Sequence, residues 1–442
     1  MFKKLKRAAV GANVPHEKAT ATLKAEKLAV PAEVRIPLSM HIGAPAKALV
    51  KKGDTVMVGT QIGEAGGFVS ANIHSSVSGT VKAVEPFTLG NGRVCDSVVI
   101  TTDGLQTVDP AVQPPVVTDK ASFLAAVRAS GLVGLGGAGF PTDVKLQPKD
   151  PVDTLLINAS ECEVMLTSDA REMLDNTATV ISGCKAVMKW CDIPSCVIGI
   201  EDNKPECVEA MNALIKPEDH IVVKPLKAVY GTGAELILIE KCLGREVPRG
   251  ALPAAVGCIV MNVTSVSTLG KYLETGMPLV ERTITIDGDA CARPCNVTAP
   301  VGTAVQDVLA HAGVKEGVTL SKVIAGGAMM GPALADLTTP ITKTSGGLLM
   351  FGEAEAKLPD ASPCIRCGRC VEYCPLGLEP VEIVDAYDRK DADELIKLHA
   401  DYCFNCGSCS FVCPARRPVT QTLALAKELC MKRMNELKEG GK

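Results

Sequence analysis

Two cysteine motifs of identical spacing constrain the C-terminal quarter of this chain more than any other feature. The first reads Cys-x2-Cys-x2-Cys-x3-Cys-Pro over residues 364–375, and the second repeats it over residues 403–414. This spacing holds two 4Fe–4S clusters in electron carriers. Zinc sites do not use three evenly stepped cysteines followed by Cys-Pro twice over, so a zinc or disulfide framework is not expected. The motifs predict that this part of the chain carries single electrons.

The fourth cysteine of each motif is predicted to cross to the other cluster, because it cannot bend back onto the cube that its three predecessors hold. One cluster is therefore assigned to Cys364, Cys367, Cys370 and Cys413, and the other to Cys403, Cys406, Cys409 and Cys374. Helices predicted at 381–387 and 392–398, between the motifs, favour an α-helical ferredoxin domain.

Composition agrees with an intracellular redox protein. The chain has 19 cysteines, and those outside the motifs are scattered without the framework of a secreted disulfide-rich domain. Residues 1–7 are basic, but no apolar signal-peptide run follows them. A net charge of −4 and an aromatic content of 3% argue against nucleic-acid binding. The longest uncharged stretch, 250–270, is too polar for a membrane span.

The N-terminal block, residues 1–102, is predicted to be a β barrel-sandwich domain, since short apolar runs alternate with turn signals from residue 31 onward. Parts of it resemble the biotinyl and lipoyl carrier fold. Phe68 stands where carrier domains place their modified lysine, so we expect a docking or scaffold module without biotin or lipoate. His41 and His74 could be ligands, but solvated or core histidines are the more frequent case.

The remaining blocks predict a multidomain chain of α/β and α+β type. After a proline-rich linker, residues 119–280 alternate strands with helices, which predicts a mostly parallel sheet covered on both faces. The strands are expected at 153–159, 195–200 and 220–225, and the helices at 121–130, 169–191, 204–215 and 234–243. A small β-grasp domain is expected at 281–352, the ferredoxin domain at 360–425, and a helical tail that lies on the surface or contacts a partner at 426–442.

A glycine-rich loop opens the α/β block. Residues 134–139 satisfy the dinucleotide pattern G-x-G-x-x-G, but a predicted helix rather than a strand precedes them, and Phe140-Pro141 follows at once. Taken alone, the pattern fits a plain turn as well as a binding loop. Its backbone N–H groups could hold a phosphate or approach a planar ring.

The context of this loop resembles a known flavoprotein. Residues 134–145 (GLGGAGFPTDVK), 158–163, 230–235 and 260–264 resemble, in the same order, elements of the NADH-binding flavoprotein subunit of respiratory complex I. With the segments 37–45 and 326–331 and both cysteine motifs, the chain nearly end to end resembles the RnfC family, from the Rnf complexes that act as ion-translocating ferredoxin:NAD+ oxidoreductases. A flavin and iron–sulfur cobalamin reductase, which shares the modules in another order, and a non-catalytic electron-relay scaffold are the alternatives.

The resemblance implies a non-covalently bound FMN, with NAD(H) as substrate. Carried over by position, the flavin and its phosphate would be cradled by Gly134, Gly136, Gly137, Gly139 and Lys145, in a pocket completed by Asn158, Glu161, Asn262 and Thr264. Phe140 would stack near the nicotinamide or adenine ring, and Glu163 and Glu235 would bond the NADH ribose and base. Three positions depart from the complex I pattern: Leu135 replaces an arginine, Ser160 an aspartate and Ala234 a glutamate.

The resemblance also implies a place in a larger assembly. The chain would be a peripheral component at the cytoplasmic face of the cell membrane, exchanging hydride between NAD(H) and FMN and passing electrons through two 4Fe–4S clusters. Its partners would be the membrane subunits, the ferredoxin-like RnfB protein and the flavin-bearing subunits, and the whole complex would couple the reaction to ion translocation. Hydride transfer itself requires no acid or base from the protein.

Overall fold

The computed structural model describes residues 11–90 and 92–440. The basic residues 1–7 and the last two residues of the predicted tail lie outside this range. An N-terminal segment with the short strand β1 (Glu26–Lys27) leads into a β domain of two sheets. Its strands are β2 (Glu33–Pro37), β3 (Lys47–Ala48), β4 (Thr55–Val56), β5 (Gln61–Glu64), β6 (Ile73–His74), β7 (Gly79–Thr88) and β8 (Val94–Thr102). The sheet orders are β2-β8-β7-β4 and β3-β5-β6.

Four parallel strands in the order β11-β10-β9-β12 form the centre of the next domain, as the alternation of strands and helices predicts. Its elements are α1 (Lys120–Ala129), α2 (Thr142–Lys145), β9 (Thr154–Ala159), α3 (Ser168–Asp175), α4 (Thr177–Cys191), β10 (Ser195–Glu201), α5 (Pro205–Leu214), a 3-10 turn (Pro217–Asp219), β11 (Ile221–Leu226), α6 (Glu235–Leu243), a second 3-10 turn (Pro253–Val256), β12 (Cys258–Asn262) and α7 (Val263–Thr275). Leu155, Leu156 and Ile157 are fully buried because helices cover both faces of the sheet.

Two details of this domain differ from the prediction. The helix expected at 169–191 is two helices, because the backbone at Asn176 leaves the helical conformation between α3 and α4. The polar stretch that contains β12 and α7 was not assigned to regular structure. Its strand is a short apolar run that is buried beside β9, and the Ser and Thr residues of the stretch lie mainly in α7.

The β-grasp region contains β13 (Glu281–Asp287), β14 (Cys295–Pro300), α8 (Val305–Ala312), β15 (Leu320–Ala325) and β16 (Gly347–Gly352). The cluster region contains α9 (Glu353–Ala356), α10 (Arg369–Glu372), α11 (Pro380–Asp388), α12 (Ala392–Lys397), a 3-10 turn (Ala400–Tyr402), α13 (Ser408–Phe411) and α14 (Val419–Gly440). Two helices lie between the cysteine motifs, as predicted.

The C-terminal helix is part of the cluster domain rather than a separate surface tail. Ala426 and Cys430 on α14 are fully buried in the same hydrophobic core as Ile383 and Leu395. The predicted boundary at residue 425 therefore falls inside one continuous helix. Its mixed charge is confined to the outer face, which explains why the sequence pattern indicated a surface helix.

The N-terminal segment also lies outside its predicted domain. Strand β1 pairs in parallel with β14 and completes a five-stranded sheet in the order β1-β14-β13-β16-β15. Further upstream, Ala12 is fully buried and packs with Tyr230. The barrel-sandwich domain thus begins near β2, since the preceding residues cross the other domains first.

Lys343 joins three domains at one buried point. From the β-grasp region, its Nζ donates to the carbonyl oxygens of Asn72 and Gly131, each at 2.6 Å. Burial lowers the pKa of Lys343 to about 7. His74 lies beside it, with an Nδ1 that has no hydrogen-bond partner among the described residues. His74 is 6% exposed and is a core histidine, as expected, whereas His41 is half-buried and bonds the carbonyl oxygen of Ala44.

We expect His74 to make the protein acid-sensitive. Burial, together with the charge of Lys343, lowers the pKa of His74 to about 3, against 6.5 for an ordinary histidine. Between about pH 6.5 and pH 3, His74 is therefore protonated in the unfolded chain but neutral in the folded chain. The free energy of unfolding decreases as the pH drops through this range, by on the order of 3–5 kcal/mol in total. Thermal unfolding at pH 7 and pH 4.5 should show a smaller loss for His74→Leu than for the original chain. An equal loss in both would contradict this assignment.

No helix within the described ranges is both long and apolar enough to cross a bilayer.

Candidate functional site: a flavin loop and two cysteine clusters

The glycine-rich loop connects α1 to α2 and is fastened at both ends. Gly134 N–H donates to the carbonyl oxygen of Phe140 at 2.9 Å, which closes the loop, and Leu135 N–H donates to Ser265 Oγ at 2.9 Å. Leu135 is 3% exposed and belongs to the core of the α/β domain. The position that carries arginine in the complex I pattern is thus an apolar anchor here, and the residues after it stand out from the surface.

Three glycines of the loop differ in what a side chain at each position would meet. Gly139 has a φ of +74°, a conformation that residues with a Cβ rarely adopt. A Cβ at Gly136 would lie 2.6 Å from Asn262 Nδ2, so close approach excludes a side chain there. A Cβ at Gly137 would meet no protein atom within 4 Å, and the residue is exposed. The protein leaves open space at Gly137, which is what a planar ligand lying against the backbone needs.

The carboxyl ends of two parallel strands meet this loop. Asn158 at the end of β9 donates to the carbonyl oxygen of Gly233 at 2.8 Å. Asn262 ends β12 and caps α7, its Oδ1 accepting from the N–H groups of Thr264 and Ser265. Ligands of open α/β sheets bind at this edge. Lys145 adds a positive charge: its Nζ donates to the carbonyl oxygen of Val260 at 3.0 Å and lies 3.8 Å from Glu235.

Asp169 organises this edge, although it is not among the site residues predicted from the sequence. Its carboxylate accepts from Asn262 Nδ2 at 2.7 Å and from Thr264 Oγ1 at 2.6 Å. Glu161 in turn accepts from the N–H groups of Asp169 and Ala170 at the start of α3. Glu161 therefore caps a helix, a role that differs from direct flavin contact. The position of Asp169 in a first helical turn is the only signal that the sequence offers for it.

We expect Asp169→Ala to weaken both the fold and FMN retention. The change removes the acceptor of two hydrogen bonds, each contributing about 1.5–3 kcal/mol when the acceptor is charged. It also frees the Asn262 side chain from its position beside Gly136. The measurement is FMN content after gel filtration, with the unfolding midpoint recorded in parallel. Asp175→Ala, on the same helix, should retain FMN.

Glu163, two residues after Glu161, is hydrogen-bonded to residues outside this edge. Its carboxylate accepts from Tyr230 Oη and from the N–H of Met329, both at 3.1 Å, and burial raises its pKa. The Nζ of Lys18, from the N-terminal segment, donates to the carbonyl oxygens of Glu161, Glu163 and Leu166. These bonds hold the strand-end segment in place. The Glu163 carboxylate thus joins the α/β and β-grasp regions, and its predicted contact with NADH remains a prediction.

Ser160 and Ala234, the other two positions that depart from the complex I pattern, have different surroundings. Ser160 is fully buried, and its Oγ has no partner among the described residues. Its carbonyl oxygen accepts from Lys204 Nζ at 2.6 Å, and Lys204 forms a buried ion pair with Glu201 at 2.8 Å. Ala234 precedes the first residue of α6 and makes no side-chain cap. An aspartate at position 160 would compete with Glu201 for the Lys204 ammonium group.

The two cysteine motifs adopt the same backbone. The residue two places after the first cysteine has positive φ in both, Arg366 at 52° and Asn405 at 57°. Their N–H groups donate to the sulfurs of Cys364 and Cys403, both at 3.4 Å. Such N–H···S bonds favour the thiolate form that binds iron. The repeated geometry supports two equivalent cluster-binding loops.

Cys374 lies with the cysteines of the second motif. Burial raises the pKa of the Cys409 thiol to about 12, and the neighbouring Cys406, Cys403 and Cys374 thiols add to that rise. The Cys374 thiol therefore lies near the thiols of the second motif, and its ligation of the second cluster stays a prediction. Cys370 likewise neighbours Cys364 and Cys367.

The assignment of Cys413 to the first group stays a prediction. Cys413 packs half-buried against a core that also includes Cys370, Cys374, Cys403 and Cys409. No three His, Cys, Asp or Glu side chains within 11–90 and 92–440 converge on one metal ion. A cubane does not need that convergence, because each iron atom takes its own thiolate.

The Cys374 group faces the α/β domain. A Cβ at Gly231 would lie 3.4 Å from Pro375 Cβ, and one at Gly407 would lie 2.7 Å from the carbonyl oxygen of Met329. Cys406 packs against the cluster that contains Tyr230. The cysteines of this group are therefore the ones nearest the domain that carries the glycine loop.

Three family matches cover most of the chain. Residues 6–105 match the RnfC barrel sandwich hybrid domain, residues 127–271 match the Nuo51 FMN-binding domain, and residues 363–416 match the 4Fe-4S dicluster domain. These matches confirm the predicted fold class. They also confirm the prediction of FMN and of two 4Fe–4S clusters as cofactors.

Curated relatives agree along nearly the same span. The RnfC-type protein of the Na(+)-translocating ferredoxin:NAD(+) oxidoreductase complex of Acetobacterium woodii is 41% identical over 82% of this chain and 83% of its own length. The counterpart from the proton-translocating complex of Clostridium ljungdahlii is 39% identical over 82% and 80%. A solved NAD+-reducing NiFe hydrogenase chain is 21% identical, with a TM-score of 0.48 over 70% of this chain and 53% of that chain. The chain belongs to the RnfC family of the ion-translocating ferredoxin:NAD+ oxidoreductase complexes.

Proposed function

We propose that this chain exchanges hydride between NAD(H) and FMN and relays electrons through two 4Fe–4S clusters. It does so as the peripheral RnfC component of a membrane-bound complex that couples ferredoxin:NAD+ oxidoreduction to ion translocation. The observation that carries the proposal is the open space over Gly137, in the loop that packs against Asn262. Lys145 lies at the same strand, β12, and cysteines of the cluster domain pack against this α/β domain.

The chain's own residues position the flavin. FMN, when bound, supplies the conversion between two-electron hydride transfer and single-electron transfer. The backbone of Gly136 and Gly137 offers a flat surface without side chains, and Lys145 brings a positive charge suited to the anionic parts of the cofactor. Asn262, held by Asp169, limits the depth of the pocket on the side of α7. The protein thereby fixes orientation, and no side chain needs to move a proton.

The NAD(H) side of the pocket is assigned to Phe140 and Glu235. Glu235 begins α6, and its side chain is 44% exposed beside Lys145, so it can accept hydrogen bonds from a ribose. Phe140 is half-buried where the glycine loop closes. Glu163 is already bonded by Tyr230 and Met329, so it is the weakest of the predicted nucleotide contacts.

Electrons leave the flavin domain through the Cys374 group first. Pro375 lies against Gly231, and Cys406 lies against Tyr230, whereas the exposed Cys364 and Cys367 lie on the solvent side of the cluster domain. The cluster of Cys364, Cys367, Cys370 and Cys413 is therefore the outer one, placed to exchange electrons with a partner. Proposed partners are the membrane subunits, the ferredoxin-like RnfB protein and the flavin-bearing subunits, at the cytoplasmic face where NAD(H) is available.

Anaerobic purification followed by NADH titration tests this function. The protein should hold one FMN and about eight iron atoms per chain, and NADH should bleach the flavin band and then part of the broad cluster absorption. Dithionite serves as the control, since it reduces both centres without using the nucleotide site. Bleaching by dithionite but not by NADH would favour a non-catalytic relay. NADH-driven reduction of an added cobalamin, in the absence of membrane partners, would favour the cobalamin reductase alternative.

A further inference from the structure

A cavity of about 400 Å³ lies between the flavin domain and the β-grasp sheet. Its walls come from the N-terminal segment, from α3 and α7, and from the start of β13. A volume of this size accommodates a small metabolite. Among the residues assigned to the flavin pocket only Thr264 lines it, and the glycine loop does not reach it.

Arg282 faces this cavity with an unused guanidinium fork. The residue is 4% exposed, and its Nε donates to the carbonyl oxygen of Ser345 at 3.2 Å. Among the described residues, neither terminal nitrogen has a hydrogen-bond or ion-pair partner. Both terminal nitrogens retain some accessible surface, and Arg282 lines the cavity. A buried guanidinium without a partner is costly unless an anion completes it.

The nearby carboxylates already accept hydrogen bonds from other side chains. Asp169 accepts from Asn262 and Thr264, and Glu172 accepts from Ser267 Oγ. Burial lowers the pKa of Arg282, and the charges of Asp169 and Glu172 oppose that shift, but neither carboxylate bonds the guanidinium. The fork therefore keeps its bonding capacity for a ligand.

The cavity as a whole favours an anion. Its lining carries five cationic side chains against three acidic ones: Lys24, Lys27, Arg171, Lys271 and Arg282 against Glu172, Asp175 and Glu281. Arg171 is paired with Asp175, and Lys271 with Glu281 at 3.2 Å. Lys24 and Lys27 are exposed and have no ion pair in the described part of the chain. Burial raises the pKa of Glu172.

We propose that this cavity binds a phosphate-bearing metabolite, whose phosphate is held by the terminal nitrogens of Arg282 and by Lys24 and Lys27. A guanidinium fork matches two oxygens of one phosphate, and a group with nearly two negative charges suits a site with an excess of cations. The volume leaves room for an organic part beyond the phosphate. This site goes beyond the proposed electron-transfer function and shares only Thr264 with the residues predicted to bind FMN.

Inorganic phosphate is the probe that tests the site. Calorimetric titration into the complete protein, with FMN and clusters bound and ionic strength held constant with chloride, should show saturable binding at one site. Arg282→Gln should weaken that binding by about tenfold or more, the loss of one charge-assisted interaction. Lys27→Glu, on an exposed residue, should weaken it as well. Lys241→Glu makes the same charge change on α6, away from the cavity, and should leave the affinity unchanged.

Flavin content distinguishes this site from the flavin pocket. FMN should stay bound throughout the titration, as measured by absorbance after removal of free ligand. Release of FMN by phosphate would show that the probe occupies the cofactor's own site and would overturn the proposal. So would an absence of saturable binding, or an affinity that neither variant lowers. If Arg282→Gln does not fold, the comparison of Lys27→Glu with Lys241→Glu decides the question.

Discussion

Gly137→Val is expected to abolish FMN retention while the protein remains folded. A Cβ at this position meets no protein atom within 4 Å, and the φ of Gly137 is not in the left-handed region, so the backbone accepts a side chain here. We expect the valine to displace a flavin that binds against the loop. The purified variant should keep the broad absorption of its clusters, lose the flavin, and lose reduction by NADH by about a hundredfold or more, because hydride acceptance requires the flavin.

Two control variants make this result specific. Gly67→Val adds the same side chain in the barrel-sandwich domain, where a Cβ would meet only Ala44 at an ordinary 3.5 Å. It should retain FMN. Gly139→Val, at a φ of +74°, should instead destabilise the loop itself. Stoichiometric FMN in folded Gly137→Val would show that the loop is a structural turn and that the flavin binds elsewhere.

Cys374→Ser and Cys413→Ser are expected to damage different clusters. Because Cys374 lies with Cys403, Cys406 and Cys409, its replacement should impair the cluster nearest the flavin domain. Cys413→Ser should impair the cluster of the first motif. In each variant the iron content should fall from about eight to about four atoms, if the damaged cluster is lost entirely.

The two variants should differ in their electron flow. In Cys374→Ser, NADH should still reduce the flavin, but electrons should reach the remaining cluster slowly, since the nearer centre is missing. In Cys413→Ser the nearer cluster should still be reduced by NADH. Electron paramagnetic resonance of the NADH-reduced samples provides the measurement. Loss of the same signal in both variants would contradict crossed ligation, and a fast reduction of the outer cluster in Cys374→Ser would contradict the proposed order.

Much of the fold was predictable because it rests on local or periodic signals. Three of the four strands of the parallel sheet follow from apolar runs such as Leu155–Ile157 alternating with helical segments, and both cluster loops follow from cysteine spacing alone. The helices between the motifs agree with the prediction within one or two residues. Strand β12 was missed although residues 258–261 are apolar, because it is short and stands within a longer stretch that contains several Ser, Thr and Gly residues.

The candidate site was predictable only in part. Gly136 lies against Asn262, and Lys145 reaches the carbonyl oxygen of Val260 on the same strand, whereas the flavin contacts that the resemblance implies stay a prediction. Glu161 and Glu163 were assigned by the same resemblance, yet one caps α3 and the other joins two domains. A sequence motif gives the position of a carboxylate in the chain, but it does not give the hydrogen-bond donors that the folded protein brings to that carboxylate. Those donors come from residues 8 to 166 positions away.

The sequence by itself determined the kind of electron carrier this protein is. Cysteine spacing specifies cluster type, because iron–thiolate geometry acts over a few residues. The tertiary structure alone decided that β1 completes the β-grasp sheet, that Asp169 holds Asn262, and that Arg282 faces an inter-domain cavity with its fork unpaired. Each of these contacts joins residues far apart in the chain, and only the packing of the domains against one another brings them together.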